Sequence, residues 1–288
     1  MTNLKARYIG FRILLYVLIA IIVLWVLAPF AWMVISSIST RADLLEKPLG
    51  WIPEKINLDG YKKIILGGSM ATRAAREFKG TAFNSFLVSV FATLISIGFG
   101  SMAAYSFSRL RSRGMRLTFT IMMLSYMLPP ISLAIPLYIL LSKLQILDNI
   151  GTLVFVYCSF NLPLATWFMK EFFDGIPVDL EEAAQIDGCS RLKSLWKIVM
   201  PLSAPGIAST AIFIFVISWN EFFFALLYTT TMASKTLPVL VGEFSSKFTT
   251  DFSMMATAGV LASIIPIALA LFFQKYIIQG LTAGGVKE

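Results

Sequence analysis

The chain has 288 residues, of which 57% are hydrophobic and 14% charged, with no histidine and a formal net charge of +8. A water-soluble domain of this length needs more charged surface to stay dispersed, so the composition excludes one and makes the bilayer the expected solvent. Without histidine the commonest metal ligand and general base is missing, and neither a catalytic centre nor a metal site is expected.

Six apolar stretches carry most of the chain: 13–38, 82–107, 117–141, 150–169, 203–229 and 254–278. At about 1.5 Å rise per residue each crosses a hydrocarbon core of about 30 Å with some tilt. The alternation of transmembrane β-strands is absent. The fold class expected is therefore all-α, a polytopic membrane protein with six transmembrane helices. The first stretch follows Lys5, Arg7 and Arg12 as a secretion signal would, but it is too long for one and lacks a clear cleavage site, so it reads as a retained helix. Prolines 129, 130 and 136 predict a broken or kinked third segment. Cys158, in a membrane helix, and Cys189, in a polar loop, sit in different environments, and no disulfide is expected.

The basic residues flank apolar helices instead of forming a nucleic-acid surface. Arg109, Arg111, Arg113 and Arg116 in the second loop, and Lys170, Arg191, Lys193 and Lys197 around the fourth, share a side with the N-terminal cluster. The positive-inside rule makes that side, and both termini, cytoplasmic. The opposite side holds Lys143, Lys235 and Lys247, together with an outer loop, 39–80, that mixes Lys62, Lys63, Arg73, Arg76 and Lys79 with Asp43, Glu46, Glu54, Asp59 and Glu77. Trp51, Pro53, Leu58, Tyr61 and Ile64 in that loop offer a small apolar surface; a folded outer cap and a solvated connector both remain open.

Residues 177–201 are too polar for a mere connector. Pro177 opens the segment, Asp179 reads as an N-cap with Glu182 completing a capping box, and a short helix runs to about Asp187. Gly188 then supplies a left-handed turn. Leu192, Leu195, Trp196 and Val199 recur at helical spacing, predicting a second short helix over 191–199, and Pro201 and Pro205 mark the bend back into the membrane. This cytoplasmic helix–turn–helix reads either as a docking element or as an interfacial helix resting on headgroups. The small side chains of Ala183 and Ala184 favour close approach by another protein.

Within the fifth stretch Glu221 stands out. A charge at bilayer depth costs at least about 2.5 to 3.5 kcal/mol, so Trp219-Asn220-Glu221 must face protein or a water-filled path. Asn220 and Glu221 are candidate path-lining residues, with a polar pair holding helices together as the alternative. Asn84 and Asn161 are further polar candidates, each also readable as a cap or an interhelical hydrogen bond.

Glu182-Ala183-Ala184, three residues, Gly188, nine residues, Ile198, one residue, then Met200-Pro201 resembles the EAA loop of ATP-binding-cassette importer permeases, with Met200 where that family usually has leucine. AAYSFSRLR, MLPPISLAIPLYILL, NLPLATWFMKEFFDGIP, SWNEFFFALLYT and the tail QKYIIQGLTAGGVKE resemble the carbohydrate-type, maltose-class branch. The tail closes on Gly-Gly-Val-Lys-Glu where the family more often has Gly-Ala-Val-Lys-Gly. The resemblance implies a permease in a bacterial or archaeal plasma (inner) membrane. It would pair with a second, usually different, permease chain, with two ATPase subunits that hydrolyse ATP with Mg, and with an extracytoplasmic sugar-binding protein. Glu182, Ala183, Ala184, Asp187 and Gly188 would dock in a cleft of the ATPase. The chain has no phosphate-binding Gly-x-x-x-x-Gly-Lys-Ser/Thr loop, so no cofactor of its own is expected. The rival reading is a stand-alone secondary transporter using Glu221 as its coupling-ion site; a non-transporting scaffold would leave Glu221 and the kinked third segment without a role.

Overall fold

The computed structural model describes residues 2–46, 50–53, 55–67, 73–110, 112–245 and 251–283, and among these every regular element is helical. Glu54, Arg111, Lys247 and the closing GGVKE lie outside the described residues. The chain forms two compact units, residues 1–76 with 241–261 and residues 77–240 with 262–288.

In the first unit, α1 (Thr2–Ser37) contains an 18-residue stretch within residues 10–37 with a mean hydropathy of 2.9, and no residue of that stretch is buried among the other described residues. Such a helix suits lipid or another subunit as its surroundings. Thr40 starts α2 (Arg41–Leu45) with a reciprocal cap: Thr40 Oγ1 accepts the Asp43 N–H at 3.2 Å while Asp43 Oδ2 accepts the Thr40 N–H at 2.8 Å. In α3 (Asp59–Leu66), Ile64 is buried and the Tyr61 hydroxyl lies 2.7 Å from Ser37 Oγ. Trp51 and Leu58 stay exposed, Trp51 meeting Trp32 edge-on at 5.2 Å. Gly60 packs so closely that a Cβ there would sit 2.7 Å from Thr257 Oγ1.

The second unit holds most of α4 (Arg73–Arg109), which is already helical nine residues before the apolar run, with Ala75 and Phe78 buried. Its inner face is lined with small residues, Ser85, Ser89, Ala92, Ser96 and Ala104, all essentially buried. They admit α7 (Ile150–Asp174) so closely that a Cβ on Gly100 would lie 3.1 Å from Ala165 Cβ. Between them, α5 (Arg113–Tyr126) and α6 (Pro130–Lys143) meet at 91°, the break expected from Pro129 and Pro130.

Past α7 come α8 (Asp179–Ile186), α9 (Arg191–Ser194), a π-helical turn over Leu195–Val199 and α10 (Met200–Leu202). The chain then bends by 82° into α11 (Ala204–Trp219). The apolar stretch 203–229 is not one helix: α11 ends at Trp219, and α12 (Phe223–Tyr228) starts afresh after a short break that contains Glu221. α13 (Leu237–Glu243) and α14 (Phe252–Ala283) complete the described chain. Among the described residues four helices are long and apolar enough to cross a membrane, up to six if each bent pair counts as one crossing.

Candidate functional site

The polar segment after α7 is built from local rules, with one departure from the sequence expectation. Asp179 does not cap α8. Val178, directly after Pro177, is already helical at φ −66° and ψ −29°, so it takes the cap position without a side-chain bond. Asp179, Glu181 and Glu182 fall instead within the first turn, where negative charge complements the helix dipole. The far end follows the expected form. Gly188 has φ +85°, its N–H reaches Gln185 O at 3.0 Å, and the Cys189 N–H reaches Ala184 O at 2.9 Å, the paired bonds of a Schellman turn. Ser190 then opens α9, its hydroxyl accepting the Lys193 N–H at 3.4 Å.

Of the predicted docking residues, Glu182, Ala183, Asp187 and Gly188 are exposed and Ala184 is half-buried. Ile186 beside them is 87% exposed, a large apolar side chain held out at the turn. The second short helix is apolar on a narrower face than expected: Leu195 and Val199 are buried against Ala104, Met169 and Phe173, whereas Leu192 and Trp196 point outward. The π turn accounts for the difference, since it rotates the residues around it out of 3.6-residue register.

Glu181, beside the expected docking residues, is a further member of this site. It is 2% exposed, with Oε1 accepting from Arg109 Nε at 2.6 Å and Oε2 from the Tyr105 hydroxyl at 2.6 Å. Arg109 also donates to Ile176 O at 3.2 Å and to Ser108 Oγ at 3.0 Å. Ser108 in turn donates to Asp174 at 2.5 Å. The signal was present in part, since Tyr105, Ser108 and Arg109 lie in AAYSFSRLR and Asp174 in the segment before the EAA loop, but nothing local showed that the two motifs meet.

A second feature is a cavity of about 610 Å³ within the second unit. The α5–α6 corner gives it Tyr126, Pro130 and Ile131, α7 gives Tyr157, Phe160 and Asn161, and the region around the α11–α12 break gives Ser218, Glu221 and Phe224. Its size falls within the range of small-molecule pockets, and five of its eleven lining residues are aromatic. Phe160 and Phe224 stack at 4.7 Å, and Asn161 Nδ2 donates to Ser218 Oγ at 2.9 Å. Of the two path candidates, Glu221 lines this cavity and Asn220 does not; Asn220 is exposed and its amide bonds back to Val216 O at 2.9 Å. Glu221 caps α12, accepting the N–H groups of Phe224 at 2.9 Å and Ala225 at 3.2 Å.

Asn84 does not line the cavity: its amide donates to the carbonyls of Met232, Ala233 and Lys235 at 3.0 to 3.2 Å. The same segment is held from another side by Asp148, which accepts the N–H groups of Thr230 and Thr231 at 2.7 and 2.9 Å, the Thr231 hydroxyl at 2.8 Å and the Ser234 hydroxyl. Burial acts to raise the Asp148 carboxyl, but these hydrogen bonds, that of Ser234 foremost, outweigh it and hold the group well below its ordinary value. Among the described residues no cluster of acids and cysteines could hold a metal ion.

Residues 96–283 match the family of binding-protein-dependent transport system inner membrane components. The chain is 36% identical over 278 residues to the trehalose/maltose transport system permease protein MalG of Thermococcus litoralis, covering 96% of this chain and 97% of that one. It is 34% identical over 262 residues to the sulfoquinovosyl glycerol transport system permease protein SmoH of Agrobacterium fabrum, covering 91% and 89%. In three dimensions it is similar to a chain of a bacterial ABC transporter involved in the import of the acidic polysaccharide alginate, with a TM-score of 0.74, 25% identity, and 92% and 96% of the two chains covered.

Proposed function

The chain belongs to the family of binding-protein-dependent transport system inner membrane components, and from that premise we propose that it is the permease subunit of an ATP-driven sugar importer. In this reading it forms half of the translocation path, a second and different permease chain forms the other half, and an extracytoplasmic binding protein delivers the sugar. Sugar as cargo is supported by the relatives, whose names give trehalose/maltose and sulfoquinovosyl glycerol as their solutes. Two separate ATPase subunits hydrolyse ATP with Mg and drive the cycle. The loops bearing Arg113, Arg116, Arg191, Lys193 and Lys197 face the cytoplasm with both termini.

The single observation that carries the docking role is the combination of exposure and rigidity at 182–188. The face Glu182-Ala183 with Asp187 and Gly188 is bare in this chain, and the Schellman turn fixes its shape. A surface that is preorganised and uncovered loses little entropy when a partner covers it. The secondary-transporter reading is the weaker one, because both oxygens of Glu221 are engaged by backbone N–H donors, which suits a fixed structural anion better than a group that takes up and releases an ion.

Co-expression with tagged candidate ATPases tests the proposal. A cognate ATPase should co-purify with the wild type in detergent, and Glu182→Lys, a charge reversal at an exposed position, should reduce its recovery while leaving the permease in the membrane. Undiminished recovery with Glu182→Lys would remove this face from the interface. If no ATPase is recovered while the chain alone transports in liposomes, the importer reading fails.

A further inference from the structure

The two adjacent glutamates of α8 have opposite surroundings. Glu182 is exposed, whereas Glu181 and Arg109 keep only 2% and 8% of their side chains accessible. Burying an ion pair is unfavourable unless the remaining lone pairs and protons are satisfied, and here they are: Tyr105 takes the second carboxylate oxygen, while Ile176 O and Ser108 Oγ take the other guanidinium nitrogens. A pair of this kind adds little net stability. Its best-supported use is to select one geometry among several.

The geometry selected joins the loop to a long helix that is anchored again at its other end. Near that end of α4, Asn84 binds three carbonyls of the segment 232–235, and Ser85 Oγ accepts the Leu237 N–H at 2.7 Å. From residue 84 to residue 109 the helix extends about 37 Å, enough to cross the hydrocarbon core. Small buried residues along its inner face keep it close to α7, so it has little room to flex between the two anchors.

We propose that Arg109 and Glu181, with Tyr105 as the second donor, lock the coupling loop to the end of α4, so that loop and helix move as one rigid body and Asn84 hands that movement to the segment 232–237. Arg109 and Glu181 are then positioning residues, acting on the path through α4. This rests on the docking reading above for the source of the movement; the lock itself is a property of this chain and is measurable without a partner.

The test uses the full chain in lipid nanodiscs, alone and with its ATPase, with spin labels at Phe99→Cys on α4 and Leu180→Cys on α8 and with Cys189→Ser removing the accessible thiol. With Arg109 and Glu181 intact, pulsed electron paramagnetic resonance should give one narrow distance that a non-hydrolysable ATP analogue leaves unchanged in the complex. Glu181→Gln keeps the shape and removes the charge. It should widen the distribution about twofold as unlocked arrangements become populated, and the swap Arg109→Glu with Glu181→Arg should narrow it again. A distribution in Glu181→Gln identical to that of the parent, or a parent distance that shifts with nucleotide, overturns the lock. If no ATPase binds the parent chain, the docking reading fails, and the comparison of parent with Glu181→Gln in the chain alone still decides the lock.

Discussion

The side chain of Glu221 accepts the backbone N–H of Phe224 at 2.9 Å, which makes it an acceptor at the start of α12. Together with the bond from Ala225 it satisfies two N–H donors that no helical carbonyl can reach. Glu221→Ala is therefore expected to lower the thermal midpoint of the detergent-solubilised protein by an amount corresponding to about 1 kcal/mol, and Glu221→Gln, which keeps one acceptor, by less. Equal midpoints for the Ala variant and the wild type would mean that the cap carries no weight.

A Cβ added to Gly188 would meet no described atom within 4 Å, so substitution there tests backbone conformation alone. Valine at φ +85° should cost about 1 to 2 kcal/mol and disorder the turn, while asparagine, which tolerates that region, should cost less. Proteolytic nicking between α8 and α9 reads the effect: cutting should be fast in Gly188→Val and close to wild type in Gly188→Asn.

At Asp148 the folded-state carboxyl is held below its ordinary value of 3.8, so the group contributes stability at any pH above that value. As pH falls below it, the unfolded chain takes up the proton first and the contribution is progressively lost. Wild type should thus lose thermal stability more steeply than Asp148→Asn below about pH 4, and the two curves should run parallel at neutral pH. Differential scanning fluorimetry across that range checks the slope; parallel curves throughout would count against the clamp.

Gly206 sits under Phe172, where a Cβ would fall 2.3 Å from the ring. Gly206→Ala should destabilise the packing of α11 on α7 by about 1 to 3 kcal/mol, and adding Phe172→Ala should recover part of the loss. Detergent melting of the single and double variants checks this, and an alanine at 206 that melts like wild type would mean the ring yields at no cost.

Much of the fold is legible in the sequence. The all-helical class follows from composition, the corner between α5 and α6 from adjacent prolines, and the turn after α8 from Gly188. What escaped was of two kinds. The break before α12 lies in a run of aromatic residues with no proline or glycine, and it exists because the Glu221 side chain competes for backbone donors, an effect that hydropathy does not register. The pairing of Arg109 with Glu181 spans 72 positions, and periodicity within each segment carries no information about which charges meet across such a gap. The EAA spacing begins at Glu182 and so singles it out, while its neighbour makes the inward contact.

The right-angled corner between α5 and α6 also bears on how the chain is made. Each arm has 14 residues, about 21 Å, too short to cross the hydrocarbon core by itself, and the side chains of Met127, Leu128 and Ile131 at the corner are largely exposed. Non-helical backbone at that depth is tolerated only under protein or beside water. In the proposed pairing a second permease chain would cover this elbow, and copies made without one should be short-lived in the membrane, their half-life rising when the companion is co-expressed.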